Sequence, residues 1–128
     1  NQLETVFSSM NESLIAIDQD ERVIAINKAA AKLFDVDRKG VNGKIVQEIV
    51  RNVKLQQQIT HIFETGETIE DEIVLQDDTG EKYLQTSVVT LKDAKKKDVG
   101  VLMVMNDVTR MRKLESIRRD FVANVSMS

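Results

Sequence analysis

The chain contains no cysteine, no proline and no tryptophan, and only one histidine and one tyrosine among 128 residues. Without cysteine there are no disulfides, no thiolate metal sites and no cysteine nucleophile. Four phenylalanines and the lone tyrosine are few side chains with which to line a pocket for a planar ring. No apolar run approaches the roughly 20 residues of a membrane span, and no secretory signal opens the sequence. The net charge of −3 is too close to neutral to argue for nucleic acid or an anionic membrane as partner. No glycine cluster, repeat or low-complexity tract divides the chain. There is no Ser-His-Asp set, no phosphate-binding glycine loop and no spaced cluster of metal ligands, so enzyme chemistry has no foothold.

What is present is an ordinary globular composition, 41% hydrophobic, enough for one core. Leu3, Val6, Phe7 and Met10 follow the i, i+3, i+4, i+7 pattern of an amphipathic helix over residues 1–10. Residues 13–18 and 22–26 read as a hairpin about the polar turn Gln19-Asp-Glu21. Asn27 is placed to cap a helix over 28–34. Residues 35–43 read as irregular, and 44–52 as a helix with Ile45, Val46, Ile49 and Val50 on one side. A longer helix, 53–65, presents Leu55, Ile59, Ile62 and Phe63, and Gly66 stops it.

Strands follow at 67–76 and 82–91, joined at the turn signal Asp77-Asp-Thr-Gly80. Residues 92–98 form a charged loop, and Lys95-Lys-Lys97 reads as its solvated tip. The last strand, 99–106, is apolar on both sides: Val99, Val101 and Met103 on one, Leu102 and Val104 on the other. Such a strand is expected to be covered on both faces. The helices between the strands would cover one, and the N-terminal helix of this chain or a partner the other. Asp71 interrupts the apolar face of Ile69, Ile73 and Leu75, which places it at an edge or bulge or facing a wet cavity, the edge being favoured.

From residue 108 onward the pattern is helical again. Val108, Met111, Leu114, Ile117, Phe121 and Val125 recur at a mean step close to the 3.5 of a coiled coil. Three steps of three precede two of four, a discontinuity that favours two competing packings. Arg110, Arg112, Lys113, Arg118 and Arg119 are interleaved with Glu115 and Asp120, as on a coiled-coil flank. Nothing terminates this helix, so it is expected to continue in a longer protein.

The order is helix, two strands, three helices, three strands, helix, an α+β arrangement. Together with Asn27-Lys-Ala-Ala-Ala-Lys-Leu-Phe34, Glu64-Thr-Gly-Glu67 and Asn106-Asp-Val-Thr109, it resembles a PAS domain over about residues 9–109. The resemblance implies a five-stranded antiparallel sheet with helices on one face and a cavity between them. Arg118-Arg-Asp-Phe-Val-Ala-Asn-Val-Ser126 resembles the lead-in to the phosphoacceptor box of bacterial sensor histidine kinases. In that family a His-Glu pair follows; here Met127 and Ser128 stand in those places, so this chain is expected to carry no phosphoacceptor and no catalysis of its own. The whole resembles the cytoplasmic PAS-plus-linker segment of a phosphate-regulon type sensor kinase.

The organisation expected is an N-terminal amphipathic helix (1–10), a PAS domain (11–107) and a signalling linker helix (108–128). The resemblance implies a cytoplasmic homodimer within a two-component system. Its parent would be anchored in the bacterial inner membrane and carry downstream dimerisation and catalytic domains. A response regulator would be reached only through that parent, and no nucleic acid would be bound.

Asp107 and Thr109 lie where the last strand meets the exit helix. Either side chain can cap that helix, and in the family this Asp-Val-Thr position ties the helix to the core as a signal joint. The dimer face is expected to comprise Leu3, Val6, Phe7 and Met10 with Met111, Leu114, Ile117, Phe121 and Val125. No cofactor is expected. A haem- or flavin-binding redox or gas sensor is one rival, and a PAS module of a transcription regulator another. Against haem, His61 is displaced by about 200° from Ile59 around its helix and should face solvent. Against light-sensing flavin, there is no cysteine to bond the ring.

Overall fold

A computed structural model describes residues 12–77 and 80–127. Five strands form one antiparallel sheet: β1 (Ser13–Asp18), β2 (Val23–Ile26), β3 (Ile69–Asp77), β4 (Gly80–Lys92) and β5 (Asp98–Asp107). Their order across the sheet is β2-β1-β5-β4-β3, so β1 and β5, from opposite ends of the sequence, pair at the centre. Between β2 and β3 lie the helices α1 (Lys28–Leu33), α2 (Arg38–Val41) and α3 (Val53–Thr65), with a single 3-10 turn at Val46–Glu48. The last helix, α4 (Thr109–Met127), leaves directly from the end of β5. Five antiparallel strands with helices packed on one face make this the α+β PAS fold that the sequence suggested.

The core lies between that helical layer and one face of the sheet. Ile15, Ile17, Ile73, Leu84, Val88, Val101, Met103 and Met105 project inward from the strands, and Leu55, Ile59 and Ile62 meet them from α3. Each fully buried aliphatic side chain contributes about 2 kcal/mol. The period of two in β1, β4 and β5 sets this face; the period of 3.6 in α3 supplies the opposing stripe. Asn52 caps α3 by accepting from the Leu55 amide at 3.0 Å, and Gly66 ends it in the left-handed region at φ 72°.

Asn27 does more than cap α1. It is fully buried, and its Oδ1 accepts from the amides of both Ala30 and Leu14, each at 2.9 Å. Its Nδ2 donates to the Glu12 carbonyl at 2.6 Å. One side chain therefore fastens α1 to the start of β1.

Several expectations are corrected. The helix expected over 44–52 shrinks to one 3-10 turn. The Val23 amide donates to the Lys44 carbonyl, the Val46 amide donates to the Glu21 carbonyl, and Ile45 bridges Arg22. Residues 44 and 45 thus act as an extra strand segment beside the start of β2, and the 3-10 turn begins only after them. The irregular stretch contains the one-turn α2, which Asp37 caps through the Lys39 amide. Phe63 is exposed, on the rim of the α3 stripe, and Val99 is exposed at the outer end of β5. Asp71 does lie on an edge strand, β3. Leu102 and Val104, on the outer sheet face, are half-buried. The N-terminal helix expected to cover them, with Leu3, Val6, Phe7 and Met10, lies outside the described residues.

The central β1–β5 pair has one point with no room for a side chain. A Cβ added at Gly100 would lie 1.9 Å from the Ile17 carbonyl oxygen, a backbone atom that cannot move aside. Gly100→Ala is expected to cost about 3 kcal/mol, read as a lower urea midpoint at unchanged m-value.

Candidate functional site

The passage from β5 into α4 is built from three consecutive residues and one neighbour on β4. Asp107 accepts through Oδ1 from the Thr109 amide at 2.9 Å and from the Thr109 hydroxyl at 2.5 Å. The same hydroxyl oxygen accepts from the Tyr83 amide of β4 at 2.9 Å. Between them, the Val108 amide donates to the Tyr83 carbonyl at 2.8 Å. Both backbone groups of Tyr83 are thus taken by the joint, and the β4–β5 pairing continues to Val108, the residue just before the helix. The Arg112 amide then donates to the Val108 carbonyl at 2.9 Å, closing the first helical turn.

Asp107 and Thr109 are therefore brought together, but in different roles. Asp107 satisfies an orphan amide of the helix start, as a capping residue does. Thr109 does not cap; its hydroxyl relays, accepting from the sheet and donating to the carboxylate. A hydroxyl is suited to this because it offers one proton and two lone pairs. At the end of the first turn of α4, the Arg112 guanidinium pairs with the Glu72 carboxylate of β3. The helix start is held to two adjacent strands, by hydrogen bonds to β4 and an ion pair to β3.

Beyond the joint, α4 presents its apolar side to solvent. Met111, Leu114, Ile117, Phe121 and Val125 are all between 55% and 68% exposed, as is Val122, which the sequence pattern leaves out of the stripe. Val108, the first member of the expected series, is half-buried at the joint. An exposed row of large apolar groups of this length marks an interaction surface.

The other titratable groups are plainly placed. His61 is half-exposed, its Nε2 3.9 Å from Glu67 Oε2, and it points away from the buried stripe of α3. It cannot ligate a group held in the core. Among the described residues no three His, Cys, Asp or Glu side chains converge. Asp71 accepts from the Glu72 amide at 2.7 Å and meets Lys54 at 3.2 Å. The amide first, and the ammonium second, hold its carboxyl below the usual carboxylate range.

Apolar periodicity passes over two buried polar side chains. Gln58, 5% exposed on α3, accepts through Oε1 from the Thr86 hydroxyl at 3.0 Å. That hydroxyl also lies 3.1 Å from the Asp71 carbonyl, and it has one proton for two acceptors. The Gln58 Nε2 has no partner. The signal was available: Gln58 sits three residues after Leu55 and four before Ile62, inside the buried stripe. Glu72 and Tyr83 carry no comparable signal, because their roles arise only when distant strands meet.

The family described as the PAS fold matches residues 7–113. The sensor protein kinase WalK of Staphylococcus haemolyticus is 28% identical over 130 residues, covering 97% of this chain and 20% of that protein. The sensor histidine kinase WalK of Bacillus subtilis is 28% identical over 126 residues, with the same two coverages. The chain thus spans about a fifth of the length of the curated relatives it matches. Among solved structures, the VqmA dimer of Vibrio cholerae superposes with a TM-score of 0.73 at 17% identity, covering 86% of this chain and 52% of that one. At that identity the likeness is one of fold.

Two substitutions test the site. Thr109→Val leaves the Tyr83 amide without its acceptor and should cost about 1–2 kcal/mol, whereas Thr109→Ser should stay near wild type in urea denaturation. Gln58→Met keeps the volume and removes the unpartnered amide, while the Thr86 hydroxyl retains the Asp71 carbonyl. It should raise stability by about 1 kcal/mol.

Proposed function

The chain belongs to the PAS-fold family, and from that premise we propose that it is the sensory and dimerisation module of a sensor histidine kinase, with α4 as its output. The observation that carries this reading is an apolar helix face exposed to solvent and hinged to the sheet at Asp107 and Thr109. A helix held so firmly at its root transmits any tilt of the sheet along its length. Its exposed stripe gives that tilt something to change.

In this reading two copies pair in parallel through Met111, Leu114, Ile117, Phe121 and Val125, with the N-terminal segment Leu3, Val6, Phe7 and Met10 joining the dimer face. The uneven spacing of the stripe allows two packings of similar energy. An input biases one of them by the difference in its interaction with each. The chain is read as a non-catalytic relay on the cytoplasmic side of a membrane-anchored kinase. Kinase domains, phosphoacceptor and response regulator belong to the parent protein. The phosphate-regulon type is the finer part of the proposal and rests on the Arg118–Ser126 run.

The kinase relatives are favoured over the transcription-regulator reading because they align along 97% of the chain at the level of sequence, α4 included. The VqmA structure, described as that of a LuxR-type receptor with a DNA target, is alike in fold alone.

Sedimentation velocity at high micromolar concentration tests the dimer. The chain should sediment as a dimer and Ile117→Glu as a monomer, since a charge buried in an apolar seam is strongly unfavourable. The substitution lies well beyond the joint and leaves it intact. A monomer in both cases contradicts the proposal.

A further inference from the structure

Two consecutive acidic residues on the edge strand β3 serve opposite sides of the sheet. Side chains alternate along a strand, so Asp71 shares the inner face with Ile73, and Glu72 points outward. On the inner side, Lys54 in the first turn of α3 meets Asp71 Oδ1 at 3.2 Å. The same ammonium donates to the Glu72 backbone carbonyl at 2.7 Å. On the outer side, the Glu72 carboxylate accepts from Arg112, in the first turn of α4. Glu72 is therefore held by α3 through its backbone and by α4 through its side chain.

We propose that Lys54, Asp71, Glu72 and Arg112 form a polar strap across the sheet edge, coupling the first turn of α3 to the first turn of α4. The alternation of the strand makes this coupling direct. A displacement of α3 draws on the carbonyl of residue 72. Turning that peptide re-aims a carboxylate that Arg112 follows. The Glu72 amide bound to Asp71 Oδ1 at 2.7 Å stiffens the pair, so the two residues move together. β3 is an edge strand, and such a strand can shift without breaking a second ladder. All four side chains are part-exposed. Their attraction is accordingly modest and sensitive to salt, which suits a bias on α4 rather than a lock. The strap rests on the geometry of this chain and does not require the kinase reading. Failure of the sedimentation test would leave it standing.

A double-mutant cycle on the full chain, read by amide hydrogen exchange, decides the matter. Lys54→Met, although placed on α3, should speed exchange of the Lys113 and Leu114 amides by about twofold to fourfold. Arg112→Met and Glu72→Gln should do the same, and Lys54→Met should add nothing further in the Arg112→Met background. The Ile15 and Met103 amides of the central strands should stay at wild-type rates in each variant. The strap is overturned if Lys54→Met leaves Lys113 and Leu114 unchanged, or if its effect persists undiminished beside Arg112→Met. It is equally overturned if every amide, central strands included, accelerates together, because Lys54 would then act only on overall stability.

Discussion

A single hydroxyl group, that of Thr109, fixes how the last helix leaves the sheet. It accepts the Tyr83 amide and donates to Asp107, so a strand, a carboxylate and a helix start converge on one oxygen. With the Val108 amide on the Tyr83 carbonyl, the ladder between β4 and β5 runs without a gap into α4. A helix joined by a free loop would sample many directions. One that begins directly after a residue still paired in the sheet inherits the orientation of that sheet. Glu72 and Arg112 add a second tether one turn on. The exposed face of α4 acquires a defined direction only because these contacts define it.

The same economy of polar contacts recurs inside. Asn27 is buried with both its amide nitrogen and its oxygen engaged, fastening α1 to β1. It is a satisfied buried polar group, which specifies one arrangement at little cost. Gln58 is the contrary case, with one end bonded to Thr86 and the other without a partner. Beside it the core is Ile, Leu, Val and Met.

The sequence was legible wherever one period governed a segment. The stripe of Leu55, Ile59 and Ile62 with Gly66 behind it marked α3 to the residue, and β1 likewise ran from Ser13 to Asp18. Asp71 could be placed at an edge because a carboxylate amid inward Ile69, Ile73 and Leu75 has few other tolerable positions. Residues 44–52 misled because Ile45, Val46, Ile49 and Val50 fit a helical face while their backbone pairs with Glu21, Arg22 and Val23. Local periodicity cannot register a tertiary backbone pairing. The joint was half legible: Asp107 and Thr109 stood out together, yet the group that unites them is the backbone of Tyr83, which no side-chain pattern reveals.

PAS domains supply one sheet to many outputs, and the fold alone does not choose between them. In the proposed reading the choice is carried by α4 and by the way it is rooted. The claim on which the account turns is that Thr109 anchors that root to β4. The exchange rate of the Tyr83 amide in the unmodified chain measures it directly, since this amide has the Thr109 hydroxyl as its acceptor. The account predicts protection comparable to the laddered amides of β4 and β5. Exchange as fast as that of the amides in the charged Asp93–Lys97 loop would contradict it.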